Sequence, residues 1–194
     1  MKYCLFMGSF NPVHNAHIHF ACEARNHYNF DEIIFVPAYK PPHKEVGIEQ
    51  SAHRYKMLEL ALADYPFFKI SDIEYKREDK SYTYPTIIEL YRTLPDIEGK
   101  INFIIGTDAF LNIYSWHQGE ELIKLLHFIV IVRDEKEAEG CKNLKDVDFD
   151  FLNASKVDIS STMIRERLKN YKPVTDLVPP AVERYIKKND LYRG

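Results

Sequence analysis

The beginning of the chain constrains the fold most, because a short apolar segment (3–7) runs through the sequence GSFNPVHNAH (8–17) straight into a helical pattern. A strand that turns directly into a helix leaves free backbone N–H groups and the positive end of the helix dipole at the junction. Small residues there, Gly8 and Ser9, let an anion approach the backbone closely. The chain is therefore expected to begin with a strand, an anion-binding turn and a helix.

Strand-like and helix-like segments then alternate along the chain. Apolar segments rich in β-branched and aromatic residues lie at 3–7, 32–36, 67–73, 101–105 and 127–132, and helical patterns lie at 16–28, 51–64, 83–94 and 118–126. Several of the strand-like segments are apolar throughout, which is typical of strands covered on both faces. This order predicts an α/β fold with a parallel sheet.

The C-terminal part of the chain is predicted to be mostly helical. Residues 134–150 are charged and weakly periodic, which indicates a surface loop before a last short strand at about 153–157. One helix is expected from the sequence ISST (159–162) to Asn170, and another after Pro179-Pro180. We expect residues 1–194 to form a single domain whose C-terminal helices begin at about residue 159.

Charge and cysteine content exclude several classes of protein. The formal net charge of −3 provides no basic surface for nucleic acid or for an anionic membrane. The three cysteines share no C-x-x-C spacing, which suits free thiols in a reducing compartment. No apolar run approaches the roughly 20 residues of a membrane span. The sequence thus predicts a cytoplasmic protein that binds neither nucleic acid nor membranes, and it allows a homo-oligomer.

His14 and His17 lie three residues apart at the predicted helix start, so both side chains can face one side and donate hydrogen bonds to phosphate oxygens. A polyphosphate beside them would favour their protonated forms. Two other interpretations are a zinc pair, for which the sequence offers no obvious third ligand, and simple helix capping. The preceding Gly8-Ser9-Phe10 favours phosphate binding, and no metal-ligating residue is predicted.

The sequence ISSTMIR (159–165) is a second candidate anion site. Three hydroxyl side chains open the predicted helix, and Thr162 and Arg165 fall on neighbouring positions of one face. Such helix starts are common as caps, so this segment alone would be read as structural. Its combination with the histidine motif favours a functional role.

Two further segments offer side chains for a small ligand. The proline-rich segment 37–44 is either a stiff surface loop or a carrier of cations that reach a phosphate, namely Lys40, His43 and Lys44. Asp108 follows a predicted strand, where a carboxylate can accept hydrogen bonds from sugar hydroxyls, and Trp116 offers a face for a heteroaromatic ring. Asp108 could instead be a helix cap, and Trp116 could instead be a core residue, as a lone aromatic usually is.

The candidate segments share one place in the predicted fold. Gly8, Pro37, Gly106 and Arg133 each follow a predicted strand. The carboxyl ends of parallel strands meet at one edge of a sheet, where ligands bind if the crossover direction reverses. We therefore expect one ligand site at this edge.

More segments extend the pattern over nearly the whole chain. They are Val36-Pro37 with PPHK (41–44), His53-Arg54 with Met57-Leu58, Ser81-Tyr82-Thr83, FIIGTD (103–108), Trp116, Arg133, Val182, Tyr185-Ile186 and Leu191-Tyr192. Together with the two phosphate motifs, this pattern resembles the bacterial nicotinate-nucleotide adenylyltransferases. That family belongs to the nucleotidyltransferase superfamily, which is related to the class I aminoacyl-tRNA synthetase fold. The resemblance implies an α/β fold with a Rossmann-like, doubly wound parallel sheet and C-terminal helices.

The resemblance implies a reaction. AMP would pass from ATP to nicotinate mononucleotide, giving deamido-NAD (nicotinic acid adenine dinucleotide) and pyrophosphate in NAD biosynthesis, with Mg2+ as the metal and no covalent enzyme intermediate. Such a transfer needs two aligned polyanions and groups that neutralise the charge developing on the phosphates. Histidines, hydroxyls and Arg165 suit this task.

The resemblance also assigns residues to the two substrates. ATP would be bound by Gly8, Ser9, Phe10, His14, His17, Ile159, Ser160, Thr162 and Arg165, of which His14, His17 and Arg165 are the catalytic candidates. Nicotinate mononucleotide would be bound by Asn11, Lys44, Thr83, Tyr84, Asp108, Trp116 and Arg133. In the second set Lys44 and Arg133 match positions near the phosphate, Thr83 and Tyr84 near the pyridine carboxylate, Asp108 near ribose and Trp116 over the ring.

The sequence departs from the usual family pattern at three positions. Ala16 stands where glycine is usual, Ser9 follows a single Gly8 where a Gly-Gly pair is common, and Pro85 replaces a frequent aspartate. An alanine methyl narrows the approach to the backbone, and a proline removes an N–H donor. The departures put nucleotide approach and pyridine recognition in question.

Alternative functions differ in the acceptor or in the chemistry. A related adenylyltransferase could prefer nicotinamide mononucleotide or phosphopantetheine, because the ATP motifs are shared across the superfamily. A non-catalytic nucleotide-binding sensor of the same fold is an alternative of another class. A small aminoacyl-tRNA synthetase relative is disfavoured by the lack of a basic surface.

Overall fold

The computed structural model of this chain describes residues 1–42, 48–94, 97, 99–132, 135–154 and 157–193. Two residues predicted to bind the acceptor phosphate, Lys44 and Arg133, lie outside the described residues, and so does His43. Over the part of the chain that the structure describes, no helix is both long and apolar enough to cross a bilayer.

The described residues form one parallel sheet of six strands. The strands are β1 (Tyr3–Gly8), β2 (Glu32–Pro37), β3 (Phe68–Ile70), β4 (Ile101–Gly106), β5 (Leu126–Val132) and β6 (Phe149–Asn153). Their order is β3-β2-β1-β4-β5-β6, so the chain proceeds outward in one direction from β1 and in the other from β4. The predicted doubly wound sheet is confirmed, and its switch point lies between β1 and β4.

Helices cover both faces of this sheet. They are α1 (Asn15–Tyr28), α2 (Ile48–Leu62), α3 (Ile73–Arg77), α4 (Thr83–Thr93), α5 (Thr107–Leu111), α6 (Gly119–Leu125), α7 (Glu135–Cys141), α8 (Ser161–Lys169) and α9 (Pro180–Lys188), with a short 3-10 helix at Ile113–Ser115. Helices α1, α2, α8 and α9 pack on one face, and α3 to α7 pack on the other.

Successive strand residues supply the two cores alternately. On β1, Cys4 and Phe6 face the side of α1 and α2, whereas Tyr3 and Leu5 face the side of α4 to α6. Each fully buried Leu or Phe side chain contributes roughly 2 kcal/mol of transfer free energy, which explains why the strands read as apolar on both faces. The rigid sheet therefore fixes where each strand ends.

Two sequence-based predictions about the C-terminal part are wrong. Residues 134–150 are not one surface loop, because they contain α7 and the start of β6, and the last strand is Phe149–Asn153 rather than 153–157. Helix α7 is mostly charged and buries little more than Cys141, so its apolar periodicity is weak.

The predicted third strand (67–73) is also too long at its end, because β3 ends at Ile70 and Ile73 begins α3.

The edge strand β6 was hidden by its acidic residues. The His127 ring lies between two carboxylates, 2.9 Å from Asp148 through Nδ1 and 3.3 Å from Asp150 through Nε2. The hydrogen bond from His127 holds the pKa of Asp148 below its usual value, against a partial desolvation of that carboxyl. Phe149 and Phe151 pack partly buried on the side of α4 to α7, whereas Leu152, on the same face as the exposed Asp150, is buried in the other core. Exposed acidic residues therefore interrupt the apolar pattern of this strand.

Candidate active site

The turn after β1 packs closely around an aromatic side chain. A Cβ atom on Gly8 would lie 3.3 Å from the Phe10 ring, so a larger residue at position 8 would press on that ring. Phe10 is buried and adopts a left-handed φ of 45°. Its ring packs 5.7 Å from Phe6, 5.6 Å from Phe35 and 5.0 Å from His17. The turn is thereby fixed on the core before helix α1 begins.

The two histidines of the first motif face each other. Their rings stack with centroids 3.7 Å apart and an interplanar angle of 28°. The backbone N–H of His14, which precedes the first helical residue, donates to Nδ1 of His17 at 3.2 Å. Nδ1 of His14 is buried and has no hydrogen-bond partner among the described residues. The hydrogen bond from the His14 N–H to His17 Nδ1 caps the helix and also orients the His17 ring.

Burial keeps both imidazoles neutral in the free protein. Burial lowers the pKa of His14 to about 4. Burial, and then the neighbouring His14, lower the pKa of His17 well below its usual value. Two neutral rings at the positive end of a helix can accept protons once a polyanion lies beside them.

Helix α8 brings the second motif against the first. Ser160 caps α8 by accepting the Met163 N–H at 3.2 Å, and Ser161 Oγ donates to the Pro12 carbonyl at 2.9 Å. Arg165 donates from Nη1 to the Asn11 carbonyl at 2.8 Å. Two separate groups of α8 therefore bind the turn after β1.

Arg165 also contacts its own helix. Its Nη2 atom donates to the Thr162 hydroxyl at 3.2 Å, as the spacing of three residues predicts. The half-buried guanidinium is thus oriented by one bond to the turn and one bond to α8. Ile159 packs its side chain against the core just before the helix. Hydroxyl and guanidinium donors therefore lie beside the histidine motif.

A fully buried arginine connects the ends of β1 and β2. Arg54 on α2 donates from Nη1 to the carbonyls of Ser9 and Ala38 at 2.8 and 2.6 Å, and from Nη2 to the Tyr39 carbonyl at 3.0 Å. Burial lowers the pKa of Arg54, and nearby Tyr75, Tyr192 and Glu74 oppose that effect. The sequence pattern contained His53-Arg54 but gave no sign of this role.

A cavity of about 580 Å3 opens beside the same turn. Its walls come from β1, β2 and β4, from the start of α4 and from the 3-10 helix. The residues that line it include Gly8, Ser9, Ala38, Glu74, Ser81, Tyr82, Thr83, Phe103, Trp116 and His117. Trp116 packs edge-on to Phe103 with centroids 6.5 Å apart, and the rings of Tyr82 and His117 lie 4.5 Å apart. This volume and these aromatic walls suit a small heteroaromatic ligand.

The wall of the cavity contains a buried carboxylate that sequence reasoning missed. Glu74 accepts the Thr86 hydroxyl at 2.8 Å and the Tyr39 N–H at 3.4 Å, and Arg77 donates to the same Thr86 hydroxyl at 2.9 Å. Burial raises the pKa of Glu74, and hydrogen bonds from Ser81 and Thr86 oppose the shift. These bonds join the loop after β2 to the start of α4.

The predicted acceptor residues do not all lie in one place. Thr83 and Trp116 line the cavity, and Asp108 is exposed at the start of α5, beyond the end of β4. The Tyr84 side chain packs against the core and is not among the described residues that line the cavity. Asn11 lies on the other side of the turn, beside α8.

Comparisons with known proteins show the family of this chain. The family described as Cytidylyltransferase-like matches residues 5–167. Probable nicotinate-nucleotide adenylyltransferases from Carboxydothermus hydrogenoformans and Bacillus pumilus are 38% and 39% identical; the matches cover 99% and 100% of this chain and 98% and 99% of those proteins. This chain belongs to the nicotinate-nucleotide adenylyltransferase family.

A solved structure shows the same fold. The Plasmodium falciparum nicotinic acid mononucleotide adenylyltransferase complexed with NaAD matches with a TM-score of 0.80 and 24% identity, covering 98% of this chain and 97% of that chain. This chain therefore has the Rossmann-like fold of the nucleotidyltransferases.

Two departures from the usual pattern of this adenylyltransferase family have local explanations. Ala16 is fully buried, so its methyl group does not reach the solvent that a nucleotide would displace. Pro85 is the third residue of α4, where the N–H would have no partner within the helix. It therefore costs α4 no backbone hydrogen bond, and Thr83 and Tyr84 keep the free N–H groups at this helix start.

The described residues contain no group of three or more His, Cys, Asp or Glu side chains that could hold a metal ion. Near the histidine motif the polar groups are hydroxyls, imidazoles and the Arg165 guanidinium. His17 Nδ1 is already used by the His14 N–H. This set of groups suits phosphate oxygens better than a bare divalent cation.

The buried His14 should make folding stability sensitive to mild acid. Its pKa is about 4 in the folded protein and about 6.5 when unfolded, so the unfolded state binds more protons between these values. The free energy of unfolding should fall as the pH drops from 6.5 to 4, with His14 contributing up to about 3 kcal/mol. Urea unfolding at several pH values measures this loss.

The matched variants are His14→Gln and, as control, His27→Gln, which changes an exposed imidazole. His14→Gln should reduce the slope of the free energy of unfolding against pH without abolishing it, because burial also lowers the pKa of His17, and His27→Gln should keep the wild-type slope. An unchanged slope in His14→Gln would contradict the burial argument.

Proposed function

We propose that this protein transfers AMP from ATP to nicotinate mononucleotide, forming deamido-NAD and pyrophosphate in NAD biosynthesis. The observation that carries the proposal is the position of the turn after β1. Gly8 and Ser9 line the aromatic cavity, and the same turn leads within a few residues to His14 and His17. One substrate can therefore bind on each side of a single turn. The relatives named for this reaction match along almost the whole chain.

We assign the ATP side to the two phosphate motifs. His14 and His17 at the start of α1 would contact the triphosphate, with Thr162 and Arg165 of α8 closing the site from the opposite side. Backbone and side-chain groups of the turn and of the α8 start complete this side, namely Gly8, Ser9, Phe10, Ile159 and Ser160. Donors held before the substrate arrives need no reorganisation during the reaction, which is the main source of electrostatic catalysis.

Mg2+ would enter with ATP. Because Mg2+ prefers one or two carboxylates together with substrate phosphates, a site without a carboxylate cluster in the described residues suits a cation carried by the triphosphate. When bound, the ion would neutralise charge on the β- and γ-phosphates. Imidazole, hydroxyl and guanidinium groups would donate hydrogen bonds to the phosphate oxygens that the ion does not contact.

We assign the pyridine ring of the acceptor to the cavity. Trp116 would stack on the ring, and the backbone N–H groups of Thr83 and Tyr84 at the start of α4 would bind the carboxylate. Asp108 would accept hydrogen bonds from ribose, and Asn11 would contact the acceptor where the two substrates meet. Lys44 and Arg133 stay predictions for the acceptor phosphate.

The reaction follows from this alignment. An oxygen of the acceptor phosphate attacks the α-phosphorus of ATP, a new P–O bond forms, and the bond to the bridging oxygen breaks in line as pyrophosphate leaves. The protein supplies no nucleophile. His14, His17 and Arg165 stabilise the charge that develops on the α-phosphate and on the departing pyrophosphate.

Four further expectations stay predictions. They are a single domain over residues 1–194, a cytoplasmic location, the absence of nucleic-acid and membrane partners, and a homo-oligomer.

The acceptor decides between the proposed function and its alternatives. Initial rates of pyrophosphate release from ATP are measured with Mg2+ and nicotinate mononucleotide, nicotinamide mononucleotide, phosphopantetheine or no acceptor. We expect kcat/KM for nicotinate mononucleotide to exceed that for the amide by about 10²-fold or more, because an amide nitrogen cannot accept the N–H bonds at the α4 start.

The other outcomes identify the alternatives. A reversed preference would make nicotinamide mononucleotide the acceptor, and an equal preference would contradict recognition of the carboxylate. Turnover only with phosphopantetheine would reject a pyridine acceptor. Tight ATP binding without turnover on any acceptor would favour a sensor.

Two single variants test the two sides of the site. His17→Ala should lower kcat by at least about 10²-fold, the usual effect of removing one preorganised donor. Trp116→Ala should raise the KM of nicotinate mononucleotide more than that of ATP, because it removes a stacking partner from the cavity only. Steady-state kinetics with each substrate varied in turn measures both effects.

The control for His17 is His19→Ala, since His19 lies two residues further along α1 and contacts Glu23 at 3.4 Å. It should keep near-normal turnover. Near-normal turnover of His17→Ala, or a larger loss of ATP affinity in Trp116→Ala, would refute the corresponding assignment.

A further inference from the structure

The C-terminal turn of the chain reaches the turn after β1. The Tyr192 hydroxyl donates to Oδ1 of the Asn11 side chain at 2.6 Å, across a separation of 181 residues. Leu191 and Tyr192 both pack against the core on the face of α1 and α2. A residue close to the end of the chain therefore contacts the loop that carries the candidate site.

The position of Tyr192 is itself determined by packing and hydrogen bonds. Helix α9 is joined to α2 by a hydrogen bond of 2.9 Å between His53 Nδ1 and the Tyr185 hydroxyl. The Leu191 N–H then donates back to the Ile186 carbonyl of α9 at 3.1 Å. The turn that carries Tyr192 is thus anchored to the same helix that supplies Arg54.

Asn11 is held from two sides by groups distant in sequence. Arg165 donates to its backbone carbonyl at 2.8 Å, and Tyr192 donates to its side chain at 2.6 Å. Tyr192 is close enough to Arg165 and Arg54 for both cations to lower the pKa of its phenol, whereas burial raises that pKa strongly and keeps the hydroxyl protonated. A protonated hydroxyl is a dependable donor to the Asn11 oxygen.

The bond to Asn11 completes a pattern along residues 9–12. The carbonyls of Ser9, Asn11 and Pro12 accept hydrogen bonds from Arg54, Arg165 and Ser161 respectively. Each bond directs a carbonyl oxygen, which would repel a phosphate, toward a protein donor. The side chain of Asn11 is the next link, and Tyr192 is its partner.

We propose that Tyr192 is a positioning residue of the active site, which acts through Asn11 to hold the turn after β1 in the conformation that aligns the two substrates. This inference rests on the proposed function, because alignment is measured as adenylyl transfer. Tyr192 touches neither substrate in this proposal. Its effect should therefore vanish when Asn11 can no longer accept its hydrogen bond.

The test is a double-mutant cycle on the full-length chain. Tyr192→Phe removes only the hydroxyl and should lower kcat/KM for ATP by about 10-fold, with the larger part of the loss in kcat. In an Asn11→Ala background the same change should alter kcat/KM by less than about 2-fold. In an Asn11→Asp background, which keeps an oxygen acceptor, Tyr192→Phe should again cost about 10-fold.

The control variant is Tyr171→Phe, which removes the hydroxyl of an exposed tyrosine that lies outside the site. It should keep wild-type kcat/KM. ATP dissociation constants on the same variants give a second readout that does not depend on turnover. These constants should change by less than about 3-fold on Tyr192→Phe, because the hydroxyl contacts Asn11 and not the nucleotide.

Two results would overturn the positioning role. The first is that Tyr192→Phe lowers kcat/KM equally in the wild-type and Asn11→Ala backgrounds, as a purely structural role would produce. The second is that Tyr192→Phe does not lower kcat/KM in the wild-type background. Failure of the proposed function is distinct from both, because the wild-type protein would then release no pyrophosphate with nicotinate mononucleotide.

Discussion

The candidate site depends on one buried cation. Arg54 is fully buried on α2 and donates to three backbone carbonyls, two from the loop after β2 and one from the turn after β1. An isolated buried guanidinium would be destabilising by several kcal/mol, so these acceptors are what make its burial tolerable. The same bonds fix the two loops relative to each other, and the Ala38 N–H adds a bond of 2.9 Å to the Gly8 carbonyl. The residues after β1 and β2 that we assign to the substrates are therefore held in place by Arg54.

The two proposed sides of the site differ in their chemistry. The side that we assign to ATP consists of neutral imidazoles, hydroxyls and Arg165, so positive charge on the histidines can develop when a polyanion binds. The side that we assign to the acceptor is a cavity with aromatic walls and a helix start. Since the chain has a net charge of −3, attraction for two anionic substrates must come from these local groups and not from the overall field. Catalysis by alignment and charge stabilisation fits this division.

Much of the fold, and which side chains of the two motifs meet, could be predicted from the sequence. Apolar strands and amphipathic helices indicated the parallel α/β sheet, and a spacing of three residues brings His14 against His17 and Thr162 against Arg165. Such signals are local, so a single sequence contains them. Helix α7 was missed, and the last strand was predicted four residues too late, because charged residues interrupt the apolar pattern of both elements.

The long-range contacts could not be predicted in this way. Arg54, Glu74 and Tyr192 act through partners 12 to 181 residues away, and nothing in their neighbouring sequence indicates which backbone or side-chain group they contact. Arg54 and Tyr192 did stand in the pattern that resembled the family, without any role attached. Only the packing of α2 and α9 reveals that both residues reach the turn after β1.

Residue-resolved amide hydrogen exchange of Arg54→Lys tests this account most directly. Lysine keeps the charge but carries its three N–H donors on one nitrogen, which cannot occupy the positions of both Nη1 and Nη2 of Arg54. We predict that the hydrogen-bonded amides of Ala38 and His14 exchange about 10²-fold faster, while amides in β4 and β5 keep their protection and kcat/KM falls at least about 10-fold. Unchanged exchange at Ala38 and His14, or an equal loss of protection across the whole sheet, would contradict the claim that Arg54 organises the site.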